Sequence, residues 1–112
     1  MYLPTSDFWV SCIYSSASDH ARSVSQLRVT DSDTIIVPVW ILFEVTSKLS
    51  PTLQGTFLRI IHSTQNIRIF YPDQTDLKRI QTLLERSKGK NYNECATKYV
   101  QDQLACTLLD LG

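Results

Sequence analysis

The sequence predicts a single α/β domain with a mostly parallel central sheet and helices on both of its faces. Short β-branched runs alternate with helix-like segments along all 112 residues, and residues 35–37 form an apolar run without polar alternation. Such a run is typical of a parallel strand buried on both faces, and the alternation is typical of βαβ units. A chain of this length can bury a core without disulfides or a structural metal.

The first half of the chain predicts two strands and three helices. Ser6 or Asp7 begins the first helix and Asp19 precedes the second, since Ser and Asp favour helix starts. Pro38 removes a backbone donor where the second strand gives way to the third helix. In order, the elements are a strand at 1–3, a helix from 6 or 7, a loop at 15–18, a helix at 20–27, a strand at 34–37 and a helix at 39–49.

The second half predicts three more helices and two more strands. Apolar residues at helical spacing follow Pro51, which suits a first helical turn. Gly89 suits the exit of the next helix, and Asn91 or Asn93 caps the last one. The elements are a helix at 51–64, a strand at 67–71, a helix at 73–87, a helix that contains 96–104 and a strand at 106–109.

Charge and cysteine usage bound the function classes. Eleven basic side chains balance eleven acidic ones, so the chain lacks the charge footprint of tight nucleic-acid or membrane binding. Cys12, Cys95 and Cys106 are widely spaced, which predicts reduced packing thiols. No apolar stretch approaches the ~20 residues of a membrane span, and no leader precedes the fold. We therefore expect a soluble, cytoplasmic protein.

Glu44 carries the strongest site signal in the sequence. It lies in VPVWILFEV, where apolar neighbours leave little polar surface, and we expect it near the carboxyl end of the second strand. His20 and His62 lie in no acid–nucleophile pattern and are assigned to surface or packing roles. Four aromatic residues are expected to fill the core or a dimer face: Trp9, Trp40, Phe43 and Phe57.

The order of elements and these motifs resemble a PIN domain, in particular the small toxin-type ribonucleases of bacterial and archaeal toxin–antitoxin pairs. YLPTS resembles the opening strand and its Asp-Thr-Ser type turn, ASDHARSVSQL the following helix, and VPVWILFEV the second motif. RIFYPDQTDLKRIQTLLERSKGKNYNECATKYVQDQLACTLLDLG resembles the last strand, helix, acidic turn and closing strand. Residues 1–112 are therefore expected to form one PIN-like domain that is short at its C-terminus.

The resemblance implies a function as well as a fold. PIN domains use three or four carboxylates to hold one or two divalent metals, Mg²⁺ or Mn²⁺, for cleavage of single-stranded RNA. These hard cations take oxygen ligands, generate hydroxide from water and neutralise charge on the phosphate. Toxin-type members also imply a small antitoxin whose helical tail covers the acidic groove, and a homodimer that uses the early helices.

Carried over by residue, the resemblance is incomplete. The first acidic position falls on Pro4, and Asp7 is the nearest acid, with helix capping as its alternative role. Glu44 matches the second position directly, and the third falls on Glu94. The fourth falls on Gly112, with Asp110 at the preceding Thr position. The candidate metal ligands are Asp7, Glu44, Glu94 and Asp110, and the candidate catalytic residues are Glu44 and Glu94.

Polar and basic residues near these positions are candidates for substrate contact. Thr5 and Ser6 belong to the first motif, and Lys88 and Lys90 belong to a basic run before Glu94 that could meet an RNA backbone. A solvated loop explains the basic run equally well.

Three hypotheses remain. The first is a metal-dependent endoribonuclease of toxin type. The second is a catalytically inactive PIN-like module that acts in protein–protein interaction. The third, a receiver-like or flavodoxin-like domain, is disfavoured because no Asp ends the central strand. The scarcity of glycine also disfavours a Rossmann unit.

Overall fold

A computed structural model describes residues 1–14, 18–29 and 33–110. Within this part, strands and helices alternate as the sequence predicted, and the predicted loop at 15–18 lies largely outside it. The strands are β1 (Tyr2–Pro4), β2 (Ile35–Pro38), β3 (Ile67–Phe70) and β4 (Thr107–Leu109). The helices are α1 (Ser6–Ile13), α2 (His20–Val29), α3 (Val39–Lys48), α4 (Pro51–Ser63), α5 (Gln74–Arg86) and α6 (Tyr92–Leu104).

The strands form one sheet in the order β3-β2-β1-β4, and every described pair is parallel. β2 pairs with one edge of β1, and β3 pairs with the outer edge of β2. β4 pairs with the other edge of β1. The strand order therefore reverses between β1 and β4. In open α/β sheets, ligands bind outside the carboxyl ends of the strands at such a reversal.

The core lies against the middle of the sheet. All four residues of β2 are buried, which confirms the prediction of a strand covered on both faces. Trp9 of α1 packs edge-on against Phe57 of α4, with ring centroids 5.7 Å apart. Trp40 of α3 packs in the same manner against Phe70 at the end of β3, at 6.1 Å. These contacts fix the first turns of α1 and α3 over the carboxyl ends of the strands.

One predicted core aromatic is not in the core. Trp9, Trp40 and Phe57 are buried, whereas 63% of Phe43 is exposed. Phe43 lies two residues from the buried Ile41 and two from the buried Val45 on α3, so helical periodicity turns it away from the face that packs on the sheet. Its placement in a dimer face stays a prediction.

The helix caps correct one expectation. Thr5 Oγ1 accepts from the backbone N–H of Phe8, so Thr5 caps α1, and the capping role considered for Asp7 is wrong. Asp7 is not the N-cap because it already lies within the first turn of α1, two residues after Thr5. Asn91 caps α6 by accepting from the backbone N–H of Glu94, as one of the two predicted alternatives.

The three cysteines are free thiols. Cys95 and Cys106 are buried, and Cys12 is half-buried. Burial raises the pKa of the Cys12 and Cys106 thiols above the usual value, which disfavours the reactive thiolate. This agrees with the prediction of packing thiols. Among the helices described, none is long and apolar enough to cross a membrane.

Candidate functional site

A cavity of ≈ 470 Å³ opens beside the carboxyl ends of β1 and β4, at the strand reversal. The first turn of α1 lines one wall with Thr5, Ser6 and Asp7, and α3 and α6 line the others. We call this cavity the groove. The remaining lining residues come from α3, α6 with its cap, and β4: Ile41, Glu44, Asn91, Asn93, Glu94, Thr97, Lys98, Gln101 and Leu108.

The groove brings together three of the four predicted acidic ligands. Asp7, Glu44 and Glu94 all line it, although they are far apart in the sequence. Each of the three carboxylates accepts from a donor of the chain itself. That property decides what chemistry the groove can perform.

Glu44 accepts a short hydrogen bond from Asn93. The side-chain amide of Asn93, in the first turn of α6, donates to Glu44 Oε1 in a half-buried position. Trp40 lies one turn earlier on α3 and donates from its indole N–H to Thr97 Oγ1 at 3.0 Å. The two contacts join α3 to α6 side by side, so Glu44 is held against α6.

Asp7 forms an ion pair with Lys48. The Lys48 ammonium lies 3.1 Å from Asp7 Oδ1 and links the end of α3 to the start of α1. The Asp7 side chain is 81% exposed, so water screens this pair strongly. The contact places a positive charge beside the groove at the wall that α1 forms.

Glu94 accepts from its own helix cap. Asn91 Nδ2 lies 3.2 Å from Glu94 Oε1 in an exposed position, while Asn91 Oδ1 accepts from the Glu94 backbone N–H. Asn91 thus caps α6 through its side-chain oxygen, and its side-chain amide donates to the Glu94 carboxylate. Lys98, one turn later on the same helix, pairs with Asp102 at 3.1 Å.

The fourth predicted ligand lies close by but does not line the groove. The Thr5 hydroxyl lies 3.5 Å from Asp110 Oδ1, and this contact joins the residue after β1 to the residue after β4. Pro4, at the first acidic position of the resemblance, is buried in β1 and has no donor atom in its side chain. Gly112, at the fourth position, lies outside the described residues.

The predicted substrate contacts divide into two groups. Thr5 and Ser6 line the groove, whereas Lys88 and Lys90 are exposed on the α5–α6 loop and are not among its lining residues. Gly89 between them has a φ of +81°, which bends this loop away from a helical path. Asn91, the residue after Lys90, does line the groove.

The groove does not fit a divalent metal as its side chains are placed. Within residues 1–14, 18–29 and 33–110, no three His, Cys, Asp or Glu side chains lie close enough to hold an ion together. Hard cations need several oxygen ligands in a near-regular arrangement. Here each acid faces an amide or an ammonium, and Pro4 adds none.

Sequence reasoning missed the two residues that contact the acids, Asn93 and Lys48. The sequence predicts Asn93 only as a helix cap and predicts no role for Lys48. Asn93 lies 49 residues from Glu44 in the sequence, and Lys48 lies 41 residues from Asp7. No local sequence pattern therefore indicates either contact. The order of the parallel strands places α1, α3 and α6 around the same end of the sheet. Both contacts could be predicted only from that order.

Comparison with solved structures finds a similar fold. The chain is similar to the Mycobacterium tuberculosis toxin VapC20, which cleaves the sarcin–ricin loop, with a TM-score of 0.82. The match covers 99% of this chain and 91% of that chain at 11% sequence identity. No protein-family model and no curated protein matches the sequence. The likeness shows the fold alone and confirms the predicted PIN-like, three-layer α/β architecture.

Proposed function

We propose that this chain, which has the fold of PIN-domain toxins, acts as a metal-independent binding module whose groove takes a basic segment of a protein partner. One observation carries the proposal: each of the three groove carboxylates already has an amide or ammonium donor from the chain itself. A partner that supplies further N–H donors fits such a site, since a carboxylate accepts several hydrogen bonds.

The composition of the groove supports a basic occupant. Three carboxylates and a single ammonium group, that of Lys98, line it, and Lys98 is also paired with Asp102 outside the lining. Ile41 and Leu108 add apolar surface between the charges. A segment with arginine and leucine side chains would match both features, because guanidinium groups bind carboxylates in a bidentate manner. In the family that the chain resembles, the helical tail of a small antitoxin covers the corresponding acidic groove.

A peptide titration tests the binding. Fluorescein-labelled hexa-arginine is titrated with the full chain at low salt, and hexa-glutamate serves as the matched probe of opposite charge. We expect saturable binding of the arginine peptide, weakened severalfold in Glu94→Gln. Glu85→Gln is the control, because Glu85 is an exposed acid on α5 away from the groove lining. Equal weakening in the two variants would contradict the proposal.

A metal-dependent endoribonuclease of toxin type is the second candidate, favoured by a different observation. Asp7, Glu44 and Glu94 converge on one cavity at the carboxyl end of the sheet, where α/β enzymes place their sites. Carboxylates on that edge are the ligands that Mg²⁺ and Mn²⁺ prefer. In this candidate, single-stranded RNA is the substrate and Glu44 is the central ligand.

Calorimetry separates the two candidates. The full chain is titrated with Mn²⁺ at neutral pH beside Glu44→Gln, and both are then incubated with single-stranded RNA and Mn²⁺. Saturable Mn²⁺ binding and RNA cleavage that are both lost in Glu44→Gln would establish the nuclease and overturn the binding module. The expected result is no saturable Mn²⁺ binding and no cleavage in either protein.

A further inference from the structure

We infer that Asn93 is the residue that keeps a divalent cation out of the groove. The inference rests on the proposed function, because it gives the reason why the groove acts without a metal. Asn93 holds Glu44, the half-buried acid of the three, by a half-buried hydrogen bond. The other two acids have exposed partners. The cation preference of the groove is therefore set at one position in the first turn of α6.

The chemistry of the amide explains the exclusion. An amide N–H satisfies one oxygen of Glu44 without adding charge, so the carboxylate needs no cation at that oxygen. A divalent ion would have to displace the amide and would then find a single carboxylate there. Protein sites for Mg²⁺ and Mn²⁺ use one or two carboxylates supported by further oxygen ligands. The neighbouring acids are turned toward Lys48 and Asn91 and do not supply them.

An aspartate at the same position reverses this balance. Aspartate has nearly the shape of asparagine, but it places a second carboxylate against Glu44. Two carboxylates in a half-buried position repel each other, and a proton or a cation relieves the repulsion. The first turn of a helix favours negative charge, so α6 tolerates the substitution. Asn93→Asp therefore converts the contact into a cation site.

The test compares the wild-type chain with Asn93→Asp. Each full chain is titrated with Mn²⁺ by calorimetry at pH 7, and its thermal midpoint is measured with and without Mn²⁺. We expect saturable binding in Asn93→Asp and a Tm that rises by several degrees with Mn²⁺. The wild-type chain is expected to show neither. If Asn93→Asp does not fold alone, refolding from urea with and without Mn²⁺ gives the same readout.

Asn91→Asp is the matched control. It adds the same charge next to Glu94, and aspartate still caps a helix. The Asn91–Glu94 contact is exposed, so the added charge is hydrated and should create no cation site. The double variant of Asn93→Asp with Glu44→Gln should lose the binding that Asn93→Asp gains.

The outcomes distinguish this inference from the proposed function. No Mn²⁺ binding in Asn93→Asp, or equal binding in Asn91→Asp, would overturn the role of Asn93 and leave the binding module standing. Mn²⁺ binding by the wild-type chain that is lost in Glu44→Gln would overturn both. Binding in Asn93→Asp alone, lost in the double variant, supports both.

Discussion

The Tyr99 hydroxyl lies 2.5 Å from Asp76 Oδ1 and joins α6 to the first turn of α5. The other oxygen of Asp76 accepts from the backbone N–H of Asp73, which completes the capping box of α5. The hydrogen bond between Tyr99 and Asp76 lowers the pKa of Asp76 and raises the pKa of Tyr99. The contact between Tyr99 and Asp76 therefore holds α5 against α6, the helix that carries several groove residues.

Tyr99→Phe should destabilise the chain through loss of this contact. Hydrogen bonds to charged groups contribute about 1.5–3 kcal/mol, and we expect a loss in the free energy of unfolding within that range. Tyr14→Phe is the control, because the Tyr14 hydroxyl makes a longer, exposed contact with the Lys48 carbonyl at 3.4 Å. Urea denaturation of both variants measures the difference. Equal losses would show that the Tyr99 contact is no stronger than an exposed one.

The stability difference between wild type and Tyr99→Phe should depend on pH. Because the pKa of Asp76 is lowered in the folded state, its contribution is present above the unfolded pKa near 3.8 and is lost as the pH falls through the folded value. The raised pKa of Tyr99 gives a contribution present below about pH 10 and lost as the pH rises further. Urea denaturation should give a larger difference at about pH 6 than at about pH 3. A constant difference would contradict the assignment.

Trp9→Phe should destabilise the chain less than Trp40→Phe. The Trp9 indole N–H is buried and meets no acceptor among the described residues, whereas the Trp40 N–H donates to Thr97. Burial alone predicts the opposite order, because Trp9 is 1% exposed and Trp40 is 8% exposed. An unsatisfied buried donor costs about 1–3 kcal/mol, and phenylalanine removes it. Thermal unfolding of the two variants measures the order, and a larger loss for Trp9→Phe would refute it.

The fold was predictable because its signals are local. The buried β2 run, the N-terminal proline of α4 and the asparagine cap of α6 each fixed an element within a few residues. The strand ends were missed by one residue at Pro4 and Pro38, which both belong to strands. Proline cannot donate to a ladder, but its carbonyl can still accept, so a strand can include a terminal proline.

The candidate site was predictable only in part. Glu44 and Glu94 were found because a family motif marks them, and the groove does contain both. The contact of Asn93 with Glu44 depends on how α6 crosses α3, a tertiary relationship without a local pattern. The same holds for Lys48, which reaches Asp7 from the far end of α3. The partners of the acids, which decide the metal chemistry, were therefore beyond the reach of sequence patterns.

Lys48→Gln should change binding more than stability. The Lys48–Asp7 pair is exposed, so its loss should lower the free energy of unfolding by less than about 1 kcal/mol. The groove then gains negative potential, and hexa-arginine should bind severalfold more tightly at low salt. Lys78→Gln removes the same charge from an exposed position on α5 and is the control. Equal affinity changes in both variants would point to net charge rather than to the groove.

Pro4→Asp should destabilise the chain, and Mn²⁺ should not restore it. Pro4 is fully buried at the end of β1, so an aspartate there carries a charge that no neighbouring metal neutralises. A buried, unpaired carboxylate costs several kcal/mol or takes up a proton, which raises its pKa. We therefore expect Pro4→Asp to be at least about 2 kcal/mol less stable than Pro4→Asn at pH 7.

Pro4→Asn is the matched variant because both substitutions introduce the same backbone N–H and nearly the same side-chain volume. The raised pKa of the aspartate means that it is charged in the unfolded state above pH 4 but resists ionisation in the folded state. The stability gap should therefore shrink as the pH falls toward 4. Urea denaturation at pH 7 and pH 4, with and without Mn²⁺, measures it. Recovery of Pro4→Asp by Mn²⁺ would show that the added aspartate can hold a metal at this edge, and the expectation that the groove carboxylates stay with their own donors would then be wrong.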